Sequence, residues 1–278
     1  MNRVFNLLIS CMNQQDHSIL AKSNVNSDAV VINQCDHDSI EEFDFLNKNN
    51  RKCHVKFVNT TERGLSKSRN MAIANSWADV CLICDDDEVL EDNVEDQILE
   101  SYSRLDSAGV IIFSLIRKDC DKTYPKGFRK LGYIQLLKTS SHQITFNRVA
   151  ILNNGICFNE EMGSGTGNGP SEENTFLMDC KRSGLEMYYN PIDIATVYDN
   201  GESQWFKGFT EDYFFKQGWA QKNVFKNRFY AFFYLILFDI KHSGTVFSQV
   251  SRTKAFKLQL KGLFLKETPT SYLEHSSL

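Results

Sequence analysis

The sequence predicts an α/β fold in which a mostly parallel central sheet is flanked by helices. The first observation is that apolar runs of strand length alternate with stretches of helical length over the first two thirds of the chain, as in βαβ units. The second is that residues 80–84 are apolar throughout, which is typical of a strand buried on both faces. The third is composition, because 278 residues with 42% hydrophobic side chains can bury a large core.

These patterns place the elements in chain order. Segment 39–46 is predicted to be helical because Ile40, Phe43 and Leu46 recur at helical spacing. Residues 117–130 lose this periodicity and carry several basic side chains, so we interpret them as a solvated, hairpin-like loop rather than a phosphate clamp. The predicted strands are residues 4–9, 29–32, 55–58, 80–84 and 110–116, and the helical patterns are residues 14–26, 39–46, 65–77 and 93–105.

The second half of the domain is organised around a glycine-rich loop. Glycine stands at every second position from Gly163 to Gly169, which predicts an irregular loop. A helix is predicted directly after it, with Glu172 and Glu173 in its first turn and Gly184 just past its end. Either glutamate is a candidate general base, although the helix dipole alone also favours acids there. Residues 188–197 are predicted to close the sheet.

Four carboxylates, Asp85 to Glu88, follow the buried run directly. In open α/β sheets ligands bind at the carboxyl ends of strands, so we expect chemistry here. Side chains two residues apart on an extended chain point the same way, so Asp85 and Asp87 can converge on one point while Asp86 faces elsewhere. Such hard oxygen ligands suit Mg²⁺ or Mn²⁺. The alternative is that these acids only mark the start of the next helix.

Arg69 lies in the apolar stripe of the helix that precedes these acids. An arginine in that position needs an anionic partner, and the acids at residues 85–87 or a substrate diphosphate are the candidates. The alternative is an arginine whose stem packs against apolar neighbours while its head reaches solvent.

Basic residues are concentrated near the end of the chain. The net charge is −4, yet residues 222–266 contain nine lysines and arginines against one acid, Asp239. The apolar run 229–238 is too short to cross a bilayer, which needs about 20 residues, so it is either a buried or an interfacial helix. Its flanking cations favour an anionic membrane surface, and without a nucleic-acid-binding motif no nucleic acid is expected as a partner. Because residues 13–16 turn polar before any signal-peptide core forms, we expect a cytoplasmic protein.

Two blocks of the sequence resemble the family 2 inverting glycosyltransferases with the GT-A fold, of the bacterial capsule or O-antigen type. Residues 64–73 (GLSKSRNMAI) and 78–87 (ADVCLICDDD) are similar to the family signature that ends in an acidic triplet. Residues 158–165 (FNEEMGSG), 171–177 (SEENTFL) and 188–191 (YYNP) resemble its downstream block, in which an "ED" pair opens a helix. The similarity extends over residues 5–203.

The resemblance implies a nucleotide-diphosphate sugar as donor, with UDP as the nucleotide, and a Mn²⁺ or Mg²⁺ ion at Asp85 and Asp87. It implies that Glu173 is the catalytic base, with Glu172 as the alternative because the chain has Ser-Glu-Glu where the family has "GED". After the second strand the chain departs from the acidic turn of the family. Which acid contacts the nucleobase or the ribose of the donor is therefore left open. The implied nucleotide-sugar contacts are Ser10, Asn13, Asp36, Arg69, Asp85 and Asp86.

The expected organisation is a GT-A catalytic domain over residues 1–203, with a nucleotide-sugar half (1–116) and an acceptor half (117–203). A basic, aromatic helical extension that contacts the membrane follows at residues 204–278. The expected activity is sugar transfer to a hydroxyl of a lipid-linked oligosaccharide in surface-polysaccharide synthesis, at the inner face of the cell membrane. The alternatives are a catalytically silent binding protein and a metal-dependent nucleotidyltransferase, whose usual glycine-rich basic loop is missing from residues 10–15.

Overall fold

The computed structural model describes residues 3–118, 123–198 and 206–271. They form the predicted α/β fold, a central sheet flanked by helices, and a helical region follows the sheet. The strands of the sheet are β1 (Phe5–Met12), β2 (Ala29–Gln34), β3 (Ser39–Leu46), β4 (Lys52–Thr60), β5 (Val80–Asp85), β6 (Glu88–Leu90), β7 (Ala108–Lys118), β8 (Arg129–Lys130), β9 (Ile144–Asn147) and β10 (Glu186–Tyr198).

The helices differ in length, and the three longest follow the sheet. A short 3₁₀ turn, Ser141–Gln143, precedes β9. The helices are α1 (Ser18–Lys22), α2 (Leu65–Asn75), α3 (Val94–Arg104), α4 (Tyr133–Leu136), α5 (Arg148–Asn153), α6 (Glu172–Arg182), α7 (Glu211–Phe225), α8 (Arg228–Lys241) and α9 (Arg252–Phe264).

The sheet has the order β3-β4-β2-β1-β5-β9-β7-β10-β6, and β8 pairs with β10. Its centre is parallel, because β1 pairs in parallel with both β2 and β5, and β2 with β4. Strand β9 then lies antiparallel between β5 and β7. The register places Ser10 beside Asp85, so the carboxyl ends of β1 and β5 lie at the same edge of the sheet. This is the edge at which the sequence predicts ligand binding.

The predicted helix at residues 39–46 is wrong, because this segment is strand β3 and pairs antiparallel with β4. Oppositely charged side chains face each other across the pair: Lys56 contacts Glu42 at 3.3 Å and Lys52 contacts Asp44 at 2.7 Å. Such cross-strand pairs stabilise a sheet. Of the apolar residues that suggested a helix, Ile40 is exposed, whereas Phe43 packs against the core.

The chain divides into two compact units. The first comprises Met1–Arg63, Lys67–Cys157 and Asp179–Gly201, and the second comprises Gly64–Ser66, Phe158–Met178 and Glu202–Leu278. The first unit contains the sheet, and its core includes strand residues, two residues of α1 (Ile19 and Leu20) and one face of α3.

The second unit contains α7, α8 and α9. Helices α7 and α9 approach closely where each has a glycine: a Cβ at Gly218 would lie 1.9 Å from the carbonyl oxygen of Gln259, and one at Gly262 would lie 2.0 Å from that of Phe215. Helix α8 packs through Ala231 and Leu235. Within the described ranges, none of the helices combines the length and apolarity that a bilayer span requires.

Candidate active site

The acidic cluster lies at the end of β5, as the sequence predicts. Residues 80–84 are buried, and the strand ends at Asp85, whose side chain is only partly exposed. Asp86 and Asp87 form the turn that leads into β6, and both are exposed. A central, apolar strand therefore fixes the position of Asp85, while Asp87 is open to solvent.

Arg69 is 2% exposed and finds its anionic partner in Asp85. The guanidinium donates to both carboxylate oxygens of Asp85, at 3.0 and 3.1 Å. Burial alone would raise the pKa of Asp85, but the Arg69 guanidinium, together with the nearby His142 and Ser141, outweighs burial and lowers it. The carboxylate is therefore held in its charged form.

Two further residues of this cluster, Ser141 and His142, come from the 3₁₀ turn and were not predicted. The Ser141 hydroxyl donates to Asp85 at 3.0 Å, and Nε2 of His142 lies 3.0 Å from Asp87 and 3.6 Å from Asp85. Burial would lower the pKa of His142, but the hydrogen bond to Asp87 and the surrounding acids raise it to about 9. The only available signal was the presence of a serine and a histidine before an apolar segment, and that signal is weak.

The other two acids of the cluster have raised pKa values. Glu88 is buried, and burial raises its pKa to about 8. Its carboxyl accepts a hydrogen bond from the backbone N–H of Asp85 at 3.2 Å, so the neutral form helps to fix the strand end. Partial desolvation and the charges of Asp85 and Asp87 raise the pKa of Asp86.

The residues at this strand end fit a small divalent cation. Oxygens of Asp85 and Asp87 lie 3.6 and 3.0 Å from the same nitrogen, Nε2 of His142, although the three atoms are not all within 4.8 Å of one another. The Nδ1 atom of His142 is buried and has no hydrogen-bond partner among the described residues. Carboxylates are ligands that both Mn²⁺ and Mg²⁺ accept, and the His142 imidazole is one that Mn²⁺ accepts once it has lost its proton.

A second feature of this edge is a pocket of about 280 Å³. It brings together two predicted contacts, Asn13 after β1 and Asp36 after β2. The side chain of Asn33 connects two residues that line the pocket. It accepts a hydrogen bond from the backbone N–H of Gln14 at 3.0 Å and donates one to the side chain of Asn59 at 2.7 Å. The residues that line it are Asn13, Gln14, Gln15, Asp16, His17, Cys35, Asp36, His37, Glu41, Phe57 and Asn59.

Two other observations concern this pocket. Among the described residues, Cys35, Asp36 and His37 form the one group of three possible metal-ligating side chains whose ligand atoms all lie within 4.8 Å of one another. The hydrogen bond from His37 lowers the pKa of Asp36. Ser10, the third predicted contact in this region, is buried and accepts a hydrogen bond from Ser68 at 2.8 Å instead of lining the pocket.

In the second unit, α6 begins at Glu172 after the glycine-rich loop, as predicted. Gly163, Gly165, Gly167 and Gly169 all have positive φ angles, which explains why glycine is needed there. Glu172 is buried, and its side chain packs against Gly163, where an added Cβ would lie 3.0 Å from its carboxyl carbon. Glu173 is half-buried. The two glutamates thus differ in solvent access.

A mixed sheet whose central parallel strands end in clustered acids, beside a polar pocket, is typical of the GT-A class of glycosyltransferases. Residues 17–161 match the family described as Glycosyl transferase family 2, and the chain belongs to that family. It is therefore an enzyme of the glycosyltransferase class. A search of curated proteins found no matching sequence.

Solved structures show the same fold at low sequence identity. TarS of S. aureus, as residues 1–349 in complex with UDP-GlcNAc, is similar with a TM-score of 0.62 and 14% identity over 93% of this chain and 76% of that one. The same TarS fragment with UDP gives a TM-score of 0.57 and 15% identity, over 98% and 78% of the two chains. The mannosyltransferase PcManGT of Pyrobaculum calidifontis, in complex with GDP-Man and Mn²⁺, gives 0.50 and 10%, over 100% and 80%.

Proposed function

We propose that the protein is a metal-dependent, inverting glycosyltransferase that moves a sugar from a UDP-sugar to a hydroxyl of a lipid-linked oligosaccharide in surface-polysaccharide synthesis. The observation that carries the proposal is the charged Asp85 carboxylate, held by the buried Arg69 at the strand end beside the exposed Asp87. The pocket at Asn13 and Asp36 supports the proposal, because its amide and carboxylate groups suit the hydrogen-bonding edges of a nucleoside. UDP as the nucleotide is supported by TarS, whose structures contain UDP-GlcNAc and UDP.

In this proposal Asp85 and Asp87 hold Mn²⁺ or Mg²⁺, with His142 as a further residue in reach. The ion, when bound, neutralises charge that develops on the leaving diphosphate. Arg69 keeps Asp85 ionised and oriented, and Asp86 contacts the nucleotide sugar. Ser10 supports this strand end through its hydrogen bond with Ser68.

Glu173 is the proposed base. It takes the proton of the acceptor hydroxyl as that oxygen forms a bond to the anomeric carbon. The bond from this carbon to the diphosphate breaks at the same time, and the electron pair leaves with UDP, so the configuration inverts. The half-buried position of Glu173 supports this assignment over the buried Glu172, which remains the alternative.

The activity is tested by incubating the purified chain with a panel of sugar nucleotides and Mn²⁺ and measuring free nucleoside diphosphate. We expect UDP release from one UDP-sugar, loss of release with a chelator, and an inverted anomeric signal in the NMR spectrum of the product. If none of the donors is cleaved or transferred, the proposal is wrong.

The base is tested by comparing Glu173→Gln with Glu172→Gln. We expect Glu173→Gln to lower transfer by about 10²–10⁴-fold, because a general base contributes that much, while affinity for UDP and Mn²⁺ is unchanged. Glu172→Gln serves as the matched control. A transfer loss of that size in Glu172→Gln alone would assign the base to Glu172.

A further inference from the structure

Helix α8 presents an apolar face to solvent. Along Arg228–Lys241, side chains at helical spacing share one side of the helix and are 46–65% exposed. In soluble proteins the outward side of a surface helix usually carries polar side chains, so this exposed apolar face indicates a binding partner. The exposed residues are Phe229, Tyr230, Phe233, Leu237 and Ile240, and we refer to them as the α8 face.

The opposite side of α8 is firmly packed. Ala231 and Leu235 are fully buried in a cluster with Leu263 of α9. Asp239, the one acid of the helix, also points inward, where it is 3% exposed and accepts a hydrogen bond from Gln259 at 2.8 Å. The outward side of α8 therefore carries no negative charge.

Cations lie at both ends of the α8 face. Arg228 is the first residue of the helix and Lys241 the last, and both are exposed. They belong to a segment, residues 222–266, with nine cations and the single inward-pointing acid. This surface is therefore apolar along its middle and positive at its ends.

We propose that the α8 face docks into an anionic phospholipid surface, with the helix axis in the membrane plane. A 14-residue helix is about 21 Å long at 1.5 Å per residue, too short to span but long enough to lie at the interface. Its apolar side chains would enter the acyl boundary, while Arg228 and Lys241 meet lipid phosphates. This docking role rests on the proposed function, because a lipid-linked acceptor is what the enzyme would meet at a membrane.

Charge favours lipid over a second copy of this chain as the occupant. If two α8 faces paired antiparallel, Arg228 would lie next to Lys241 of the other copy. In a parallel pair, each Arg228 would lie next to the other Arg228, and each Lys241 next to the other Lys241. The outward side of α8 has no acid that could neutralise these cations in either arrangement. Anionic lipid phosphates complement both ends of the helix.

The test is sedimentation of the full chain with vesicles of phosphatidylcholine containing about 30% phosphatidylglycerol, compared with pure phosphatidylcholine. The docking variant is Leu237→Asp/Ile240→Asp. Its matched control is Ile40→Asp/Leu46→Asp, which changes the same residue types at similar exposure, 63% and 62% against 65% and 56%, and adds the same charge. We expect at least about tenfold weaker vesicle binding for the docking variant, and a change below about twofold for the control.

Two outcomes would overturn the proposal: no vesicle binding by the wild type, or equal losses of vesicle binding in the two variants. If vesicle binding is absent and the wild type forms a dimer in sedimentation velocity that only the docking variant abolishes, the occupant of the α8 face is a second copy of the chain. Circular dichroism verifies that both variants are folded. UDP release without vesicles is measured in parallel and should be unchanged in the docking variant. Vesicle binding without any UDP release would refute the proposed function and leave the docking surface in place.

Discussion

Arg69 and Asp85 form a buried ion pair, and its energetics follow from its burial. Removing the cation leaves a desolvated carboxylate, which costs about 3–5 kcal/mol in comparable pairs. We predict that Arg69→Met lowers the free energy of unfolding by this amount, and that Asp85→Asn added to it restores part of the loss. Denaturant unfolding measures both. Lys56→Met, which breaks the more exposed pair with Glu42, should cost less than about 1 kcal/mol.

His142 makes stability depend on pH. Its pKa is raised from 6.5 to about 9 in the folded protein, so folding favours the protonated form. The stabilisation is fully present below pH 6.5 and disappears as the pH rises through 9. We predict that His142→Gln lowers stability at pH 6.5 by on the order of 2 kcal/mol and that the difference from wild type vanishes near pH 9.5.

Thermal unfolding in the presence of a chelator, from pH 6 to about 9.5, checks this prediction. His54→Gln is the control, because His54 lies at a more exposed pair with Asp44. A difference between wild type and His142→Gln that stays constant over this range would show that His142 is not charged in the folded state.

At the level of elements, the sequence predicted the parallel strands and α6 but not β3. The central strands are continuous apolar runs, which is a strong signal. In β3 the helical spacing of Ile40, Phe43 and Leu46 was misleading, because pairing with β4 and opposite charges decided the conformation. An overlooked signal was the asparagine-rich segment 47–50, which joins two segments of opposite charge and favours a hairpin.

The same limit applies to the site. Asp85, Asp87 and Arg69 lie on consecutive elements with clear periodicity, so their proximity was predictable. Ser141 and His142 reach the site only because β9 inserts antiparallel between β5 and β7. No local pattern encodes that insertion, since it depends on pairing between distant parts of the chain.

Helices α7 and α9 depend on two glycines for their close approach. A side chain at Gly218 would overlap the Gln259 carbonyl, so the helices would have to separate. We predict that Gly218→Ala costs about 3 kcal/mol or more in unfolding free energy, although alanine is the better helix former. Gly244→Ala, where an added Cβ meets no atom within 4 Å, is the control and should change stability by less than about 1 kcal/mol. Equal effects would contradict the close packing.

For the molecule as a whole, the sequence showed that basic and apolar residues are concentrated near the end of the chain. It did not show which side of the apolar helix faces solvent. The run 229–238 is apolar on all sides, so the sequence left open whether it is buried or interfacial. Packing of α8 through Ala231 and Leu235 decides which side is exposed and turns Asp239 inward. The tertiary fold therefore converts a uniformly apolar helix into a surface with a defined face.

Ligand binding should stabilise the whole protein if the proposed donor site is correct. UDP with Mn²⁺, at about 100 times the dissociation constant, adds about 2.7 kcal/mol to the folded state. For a chain of this size we expect a rise in Tm of about 5 °C. Scanning calorimetry of the purified chain measures it, with and without a chelator.

Two variants separate the proposed roles in this experiment. Asp87→Ala removes an exposed carboxylate with little packing, so it should remain folded but lose the metal-dependent rise in Tm. Glu173→Gln should keep the full rise, because a base that acts on the acceptor contributes nothing to binding of UDP and the ion. A rise that survives in Asp87→Ala, or that is the same without the ion, would mean that UDP binds independently of metal. The charged strand end would then serve the fold rather than the donor.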